Sequence, residues 1–356
     1  MNTRGGDFFG QGSYGCTFAP PPTCVNEVSV SKKAKGIRGK KLGKVFDSQA
    51  AVDQEWKIAE VMSRVDPNQE FFLYPVSKCT TSLADVKKDS EALSCSYTHR
   101  TRPTSLAMLI MKKGGEPLVD YIYRSRTNIP KFVEIMIPVM QGLQKLARHG
   151  LVHHDLKFDN ILYNATEKDT KIIDFGLMVR KIEAFDWSKN LYLFSDYWLH
   201  PPEYRILQYV SSGTLLTTTK DDARRIFQKN MHLLNTRFSS NDRYTLHDYI
   251  LSQVFTYCDY EKEFVDYMLD VCKKETREGA VAFMAKHAGK IDMYSLGITM
   301  AYLSMYLHTA NDGQHIQVMY KELLQGLLHP DPRKRMSPSK ALSHATAILA
   351  ASKRGI

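Results

Sequence analysis

Apolar and polar positions along the chain switch between a period of two and a period near 3.6, and the switches mark out its elements. Cys16-Thr17-Phe18 reads as a short strand, and Pro20-Pro21-Pro22 forbids a helix after it. Leu42-Gly43-Lys44-Val45-Phe46 reads as a second strand with one lysine inside its apolar run. Helical spacing of Val52, Trp56, Ala59 and Met62 predicts a helix over about 48–65, ending before Asp66-Pro67. Residues 79–103 are rich in Ser, Thr and Lys and read as an irregular hairpin or loop. Leu106 to Met111 is an apolar run with the look of a buried strand, leading to Lys112-Lys113-Gly114-Gly115. From Pro130 to His149 the spacing of Phe132, Val133, Met136, Met140, Leu143 and Ala147 predicts a long helix, kinked at Pro138 and stopped by Gly150. Amphipathic helices follow at Tyr244–Tyr257 and Glu261–Cys272. An apolar helix opens at Asp292, and Ser337-Pro338 caps a last one.

Composition narrows the setting of these elements. With 356 residues, of which 43% are hydrophobic, the chain can bury the core of one large domain or two lobes. Charged residues at 24% and the lack of long low-complexity runs point to an ordered globular protein. No apolar run approaches about 18 residues, so no membrane span is expected. The start, Met1-Asn2-Thr3-Arg4-Gly5-Gly6, lacks the apolar core of a secretory signal. Cysteines at 16, 24, 79, 95, 258 and 272 form no Cys-x-x-Cys pair; the expectation is a reducing, intracellular setting, with neither zinc nor a disulfide framework. A net charge of +10 favours anionic partners without choosing among them. Much of it lies in Lys32, Lys33, Lys35, Arg38, Lys40 and Lys41. That cluster reads as a solvated hairpin loop in preference to an import signal or a polyanion site, and no aromatic is interleaved for stacking on nucleic acid.

The most informative stretch is His153-His154-Asp155-Leu156-Lys157-Phe158-Asp159-Asn160, followed by Ile172-Ile173-Asp174-Phe175-Gly176. It sets a carboxylate, an ammonium and an amide in one compact loop, and a second carboxylate beside the next apolar strand. Phosphoryl transfer from a magnesium nucleotide needs that set: a base at the accepting hydroxyl and oxygen ligands for hard cations. Gly10, Gly12 and Gly15 sit at the spacing that lets backbone amides approach phosphate oxygens. Such a glycine triplet is weak evidence alone, because dinucleotide folds share it, but those folds place a helix after it.

Together these strings resemble the eukaryotic-type protein kinases, whose catalytic loop and magnesium motif they match. The resemblance implies an α+β, bilobal protein-kinase-like fold with a β-rich small lobe over 1–113, a mainly helical large lobe over 114–356 and a long helical insertion over about 206–290. It implies ATP and Mg2+ as cofactors, with Asp155 as catalytic base, Lys157 on the γ-phosphate, and Asn160 and Asp174 as metal ligands. Lys44 is the expected partner of the α- and β-phosphates, with Lys40 and Lys41 as loop charges. Glu55 is preferred over Glu60 as the residue that holds it. Gly10, Gly12 and Gly15 would cover the nucleotide, and the backbone of Ile110, Met111 and Lys112 would meet adenine. Pro201-Pro202-Glu203 stands where the family has Ala-Pro-Glu; Glu203 is expected to pair with Arg335, and Asp292 to brace the catalytic loop. Lys157 resembles the serine/threonine branch, so the implied partner is a protein substrate carrying Ser or Thr.

Departures from the family pattern shape the rest of the expectation. Thr17 stands where the family has Val. His154 stands where most members carry an arginine that receives a phosphorylated residue; an imidazole would be a weaker, pH-dependent phosphate partner, which predicts activity without activation-loop phosphorylation. Between Glu203 and Asp292 the chain carries far more residues than the family does, read either as a docking module for substrate or partner or as a large lobe that packs on itself. The short small lobe, Cys16 and this insertion resemble kinases of large DNA viruses, which suggests a cytoplasmic or nuclear site, a viral factory or a virion. With glycines starting at residue 10, no separate regulatory domain is expected. The rival readings are a pseudokinase scaffold and a small-molecule kinase of the aminoglycoside or choline type.

Overall fold

The computed structural model describes residues 7–12, 15–31, 40–46, 48–86, 95, 105–180, 200–204, 219–236, 254–255, 257–272 and 276–354. Contacts divide the chain into two compact units, Met1–Gly115 with Asn164–Gly176, and Glu116–Tyr163 with Leu177–Ile356.

The first unit is built on a six-stranded antiparallel sheet. Its strands are β1 (Asp7–Gly12), β2 (Gly15–Ala19), β3 (Val25–Ser29), β4 (Lys41–Phe46), β5 (Ser77–Ser82) and β6 (Ser105–Lys112), in the order β1-β2-β4-β6-β5-β3. One helix, α1 (Gln49–Val65), packs on β4 and β6. Ser48 starts it by accepting a hydrogen bond from the Ala51 amide, and Val52, Trp56, Ala59 and Met62 form its buried face, as their spacing predicts. Cys16, Phe18, Val45, Val76, Met108 and Ile110 share the core beneath the sheet.

Two expectations fail in this unit. Of the hairpin and loop alternatives for 79–103, the irregular loop fails at residues 79–82, which are the end of β5 and run antiparallel to Ser105, Leu106, Ala107 and Met108 of β6, as the arm of a hairpin does. Cys79 and Thr81 point inward while Thr80 and Ser82 alternate with them, so the period of two was present under a polar composition. Most of 87–104, the remainder of that expected loop, lies outside the described residues, as do 32–39 of the basic cluster. The cysteine expectation also fails. Cys16 bonds to Cys95 and Cys24 to Cys79, and three of the four are almost fully buried. The partners are 79 and 55 residues apart, so their pairing left no short spacing to read.

Helices make up most of the second unit: α2 (Leu118–Arg124), α3 (Ile129–Arg148), α4 (Lys220–Thr236), α5 (Tyr257–Cys272), α6 (Arg277–Lys286), α7 (Ile291–Ser304), α8 (Gln314–Leu327) and α9 (Pro338–Arg354). Asn128 caps α3, which continues through Pro138, and Gly150 follows it at φ +65°. Helix α7 is buried along nearly its whole length, the central post of the unit. Within the described part of the 206–290 stretch, α4 packs on α5, where Ala223, Ile226 and Phe227 meet Tyr260, Phe264 and Met268, while Ala280 and Met284 of α6 join Val152 and Val179 outside the stretch. Residues 244–253 of one expected helix lie outside the described set. The expected α+β class therefore holds, with a β-rich unit and a helical one.

Candidate functional site

In the first unit the glycines lie on a strand pair, with Gly12 opposite Gly15 and Gly10 opposite Thr17. A Cβ on Gly15 would lie 2.3 Å from the carbonyl oxygen of Val45, so this position admits no side chain. Lys44 sits mid-sheet, opposite Thr17 on one side and Leu109 on the other. Its ammonium pairs with Glu55 of α1 and lies 4.8 Å from the Phe46 ring centroid. The side chain of Glu60, the other candidate, is exposed. Burial raises the Glu55 carboxyl above its usual pKa against the pull of Lys44, and the nearby charge of Asp174 adds to the rise.

Asp174 reaches its place through a chain of contacts that starts at the end of α1. The Asp66 carboxylate accepts the amides of Phe71 and Phe72. Phe71 and Leu73 then exchange backbone hydrogen bonds with Ile172, and Phe72 meets Phe175 edge-on at 5.7 Å. Asp174 itself adopts φ +62°, and its Oδ1 accepts the Gly176 amide at 3.2 Å. For Ile110, Met111 and Lys112 the sheet register is decisive. Ile110 is paired on both sides, and its carbonyl accepts the Val76 amide. The β5 register stops there, while among the described residues Met111 and Lys112 continue only along Leu42 and Lys41 of β4, which leaves one edge of their backbone past the end of this ladder.

The second unit carries the loop His153–Asn160. Lys157 Nζ lies 3.2 and 3.1 Å from the two oxygens of Asp155. Asn160 Nδ2 donates to the Asp155 carbonyl at 2.8 Å and to its Oδ2 at 2.9 Å. The loop is thus closed on itself, with the carboxylate at its centre. Its backbone is held from α7: Asp292 accepts the His153 and His154 amides at 2.7 and 3.0 Å, and Thr299 donates its hydroxyl to the Leu156 carbonyl at 3.3 Å. Asp292 has the expected bracing position. Among the described residues no group of three or more His, Cys, Asp or Glu converges as a metal cage.

His154 departs from its expected part. It is fully buried, and both ring nitrogens are engaged: Nδ1 donates to the Leu177 carbonyl at 3.3 Å and Nε2 accepts the hydroxyl of Tyr204. Burial depresses its pKa well below the usual value, with His200 adding to the effect. A neutral, enclosed imidazole cannot serve as a phosphate partner. The sequence assigns neither Tyr204 nor His200 a role at the site; Tyr204 counts there only among the aromatics around the insertion, directly after Pro201-Pro202-Glu203.

Residues 88–215 match the family described as Protein kinase domain. A serine/threonine-protein kinase of Schizosaccharomyces pombe, shk2, is 25% identical over 176 residues, 49% of this chain and 27% of that protein. A second from the same organism, ksp1, is 28% identical over 162 residues, 44% of this chain and 29% of its own length. Tyrosine-protein kinase SPK-1 of Girardia tigrina is 36% identical over 84 residues, 22% of this chain and 16% of its own. The chain thus spans less than a third of each of these relatives. These similarities support a eukaryotic-type protein kinase, and the fold is the bilobal α+β fold of such kinases.

Proposed function

We propose that the protein is an ATP- and magnesium-dependent protein kinase that phosphorylates serine and threonine hydroxyls, with Asp155 as the base. The observation that supports this most is the closed loop in which Asp155 meets both Lys157 and Asn160. A substrate hydroxyl hydrogen-bonded to Asp155 would be oriented for attack and lose its proton to the carboxylate, while Lys157 steadies charge on the transferred γ-phosphoryl group. Asn160 spends its Nδ2 on Asp155, which leaves Oδ1 as an oxygen ligand. Asp174, in the first unit, offers a carboxylate of its own, and magnesium takes oxygen ligands of both kinds while keeping waters and substrate phosphates in its shell. When bound, that ion would neutralise charge on the phosphates.

The remaining residues take their roles from position. Lys44, held by Glu55, offers its ammonium to the α- and β-phosphates, and the strand pair at Gly10, Gly12 and Gly15 offers backbone amides. The open backbone edge at Met111 and Lys112 suits the edge of a nucleobase. Lys157 in Asp-Leu-Lys-Phe-Asp-Asn favours serine and threonine over tyrosine as acceptors. Activity is expected without activation-loop phosphorylation, because His154 offers a phosphate no positive charge.

The test is transfer of labelled phosphate from ATP with magnesium to a generic basic protein. Wild type is expected to label serine and threonine, before and after phosphatase treatment. Asp155→Asn and Asp174→Asn are each expected to abolish transfer. Wild-type-like turnover in Asp174→Asn overturns the metal assignment, and phosphotyrosine as the product overturns the acceptor assignment.

A further inference from the structure

We propose that Tyr204 is a positioning residue for Asp155, acting through the ring of His154. The inference rests on the kinase reading above and assigns that reading a control point 50 residues from the catalytic loop.

His154 stands directly before Asp155 and adopts φ +65°, a left-handed conformation that a residue bearing a side chain holds only when its surroundings enforce it. Every polar atom of His154 is engaged. Its amide donates to Asp292 Oδ1, and its carbonyl accepts from His200 Nε2 at 2.8 Å. Nδ1 donates to the Leu177 carbonyl at 3.3 Å, so Nε2 carries no proton and accepts the Tyr204 hydroxyl. The torsion that aims Asp155 is therefore set by three segments at once: α7, the stretch after Phe175-Gly176, and the turn at Pro201–Tyr204.

Tyr204 is itself firmly seated. Its ring packs among Val152, Val179, Met284 and Ile291, and it stacks on His200 at 4.8 Å between centroids. Its chain neighbour Glu203 is locked to Arg335. The hydroxyl is thus delivered to His154 from a rigid base. Losing it leaves the ring packing intact and removes one support from a strained backbone, so the expected effect falls on the aim of Asp155 and not on nucleotide binding.

The experiment compares Tyr204→Phe with wild type as full chains, well below the melting temperature of both. The expected result is a kcat lowered about tenfold, the size of one lost hydrogen bond, with KM for ATP within twofold. Hydrogen exchange is expected to quicken over 153–160 and stay unchanged in α9. A kcat within twofold of wild type overturns the proposal, as does a loss in which KM rises in step or α9 exchanges faster too. If wild type transfers no phosphate, the kinase reading fails, and the exchange readout still decides: loop amides unaffected by the variant overturn the strut. Should Tyr204→Phe not fold, long-range 1H–15N correlation on wild type decides. A proton on Nδ1 of His154 supports the proposal; a proton on Nε2 overturns it.

Discussion

Arg335 lays both terminal nitrogens of its guanidinium on the carboxylate of Glu203, at 2.7 and 2.8 Å, across 132 residues of chain. Both side chains are almost wholly buried, at 0% and 2% exposure. The remaining donors are used as well: Arg335 Nε serves the His329 carbonyl at 2.9 Å, and Nη2 the Pro330 carbonyl at 3.2 Å. A buried ion pair adds little net stability over an apolar replacement, but stripping one partner leaves a charge with no compensation. Arg335→Met is therefore expected to cost about 3–5 kcal/mol in chemical denaturation. Arg335→Met with Glu203→Leu should recover much of that. A single-variant loss below about 1 kcal/mol would show that Glu203 finds other partners.

Burial sets the sign of one pH dependence. His154 titrates near 6.5 when unfolded and well below that when folded. The unfolded chain then binds the extra proton, so the stability this group contributes is full above about pH 6.5 and is lost as pH falls from there toward the folded value. His287 and His329 are shifted the same way by burial and act in the same sense. Asp292 accepts the His154 amide and has its pKa raised by burial, an opposite contribution that sets in as pH falls through its folded value and is complete below the ordinary carboxylate range. Melting temperature should fall between pH 7 and pH 5.5, and His154→Gln should flatten that slope. An unchanged slope in the variant would mean that His154 is already charged in the fold.

The disulfides make a separate prediction. Cys16 belongs to β2, next to the glycines, and bonds to Cys95; Cys24 ties to Cys79 of β5. Closing loops of 79 and 55 residues restricts the unfolded chain, by roughly 4 kcal/mol for each in the chain-entropy account. Non-reducing peptide mapping should recover these two pairs, and reductant should lower the melting temperature. Peptides with all four thiols free in protein purified without reductant would refute the pairing.

What could be read from the chain and what could not divides along a physical line. The loop Asp155–Asn160 and the string at Asp174 are contiguous, so the grouping of their side chains was visible as spacing. Lys44 was legible because a lone lysine inside an apolar strand has to meet a counter-charge, and Glu55 supplies it. Features built across the fold left no such mark. The Cys16–Cys95 bond, the Tyr204–His154 contact and the strand register of Thr80 and Thr81 depend on partners tens of residues away. His154 shows the difference most clearly. Its identity suggested a weakened phosphate site, but only its enclosure by Tyr204, His200 and Leu177 revealed a neutral structural group.

The choice between Glu55 and Glu60 yields the last prediction. Both lie on α1, five residues apart in sequence, and helical periodicity cannot seat both on the face that meets β4. Glu55 pairs with Lys44, while Glu60 points to solvent. A charge-assisted hydrogen bond contributes about 1.5–3 kcal/mol, so if it orients Lys44 on the nucleotide, Glu55→Gln should lower kcat/KM for ATP roughly 10- to 100-fold. Glu60→Gln should stay within about twofold, since an exposed charge without a close partner contributes little. Lys44→Met should match or exceed the Glu55→Gln loss, because it removes the group that Glu55 serves. Combining Lys44→Met with Glu55→Gln should then add almost nothing, as expected for residues that act as a unit. An equal loss in the two glutamate variants, or full additivity with Lys44→Met, would show that Glu55 acts on the nucleotide by a route other than Lys44.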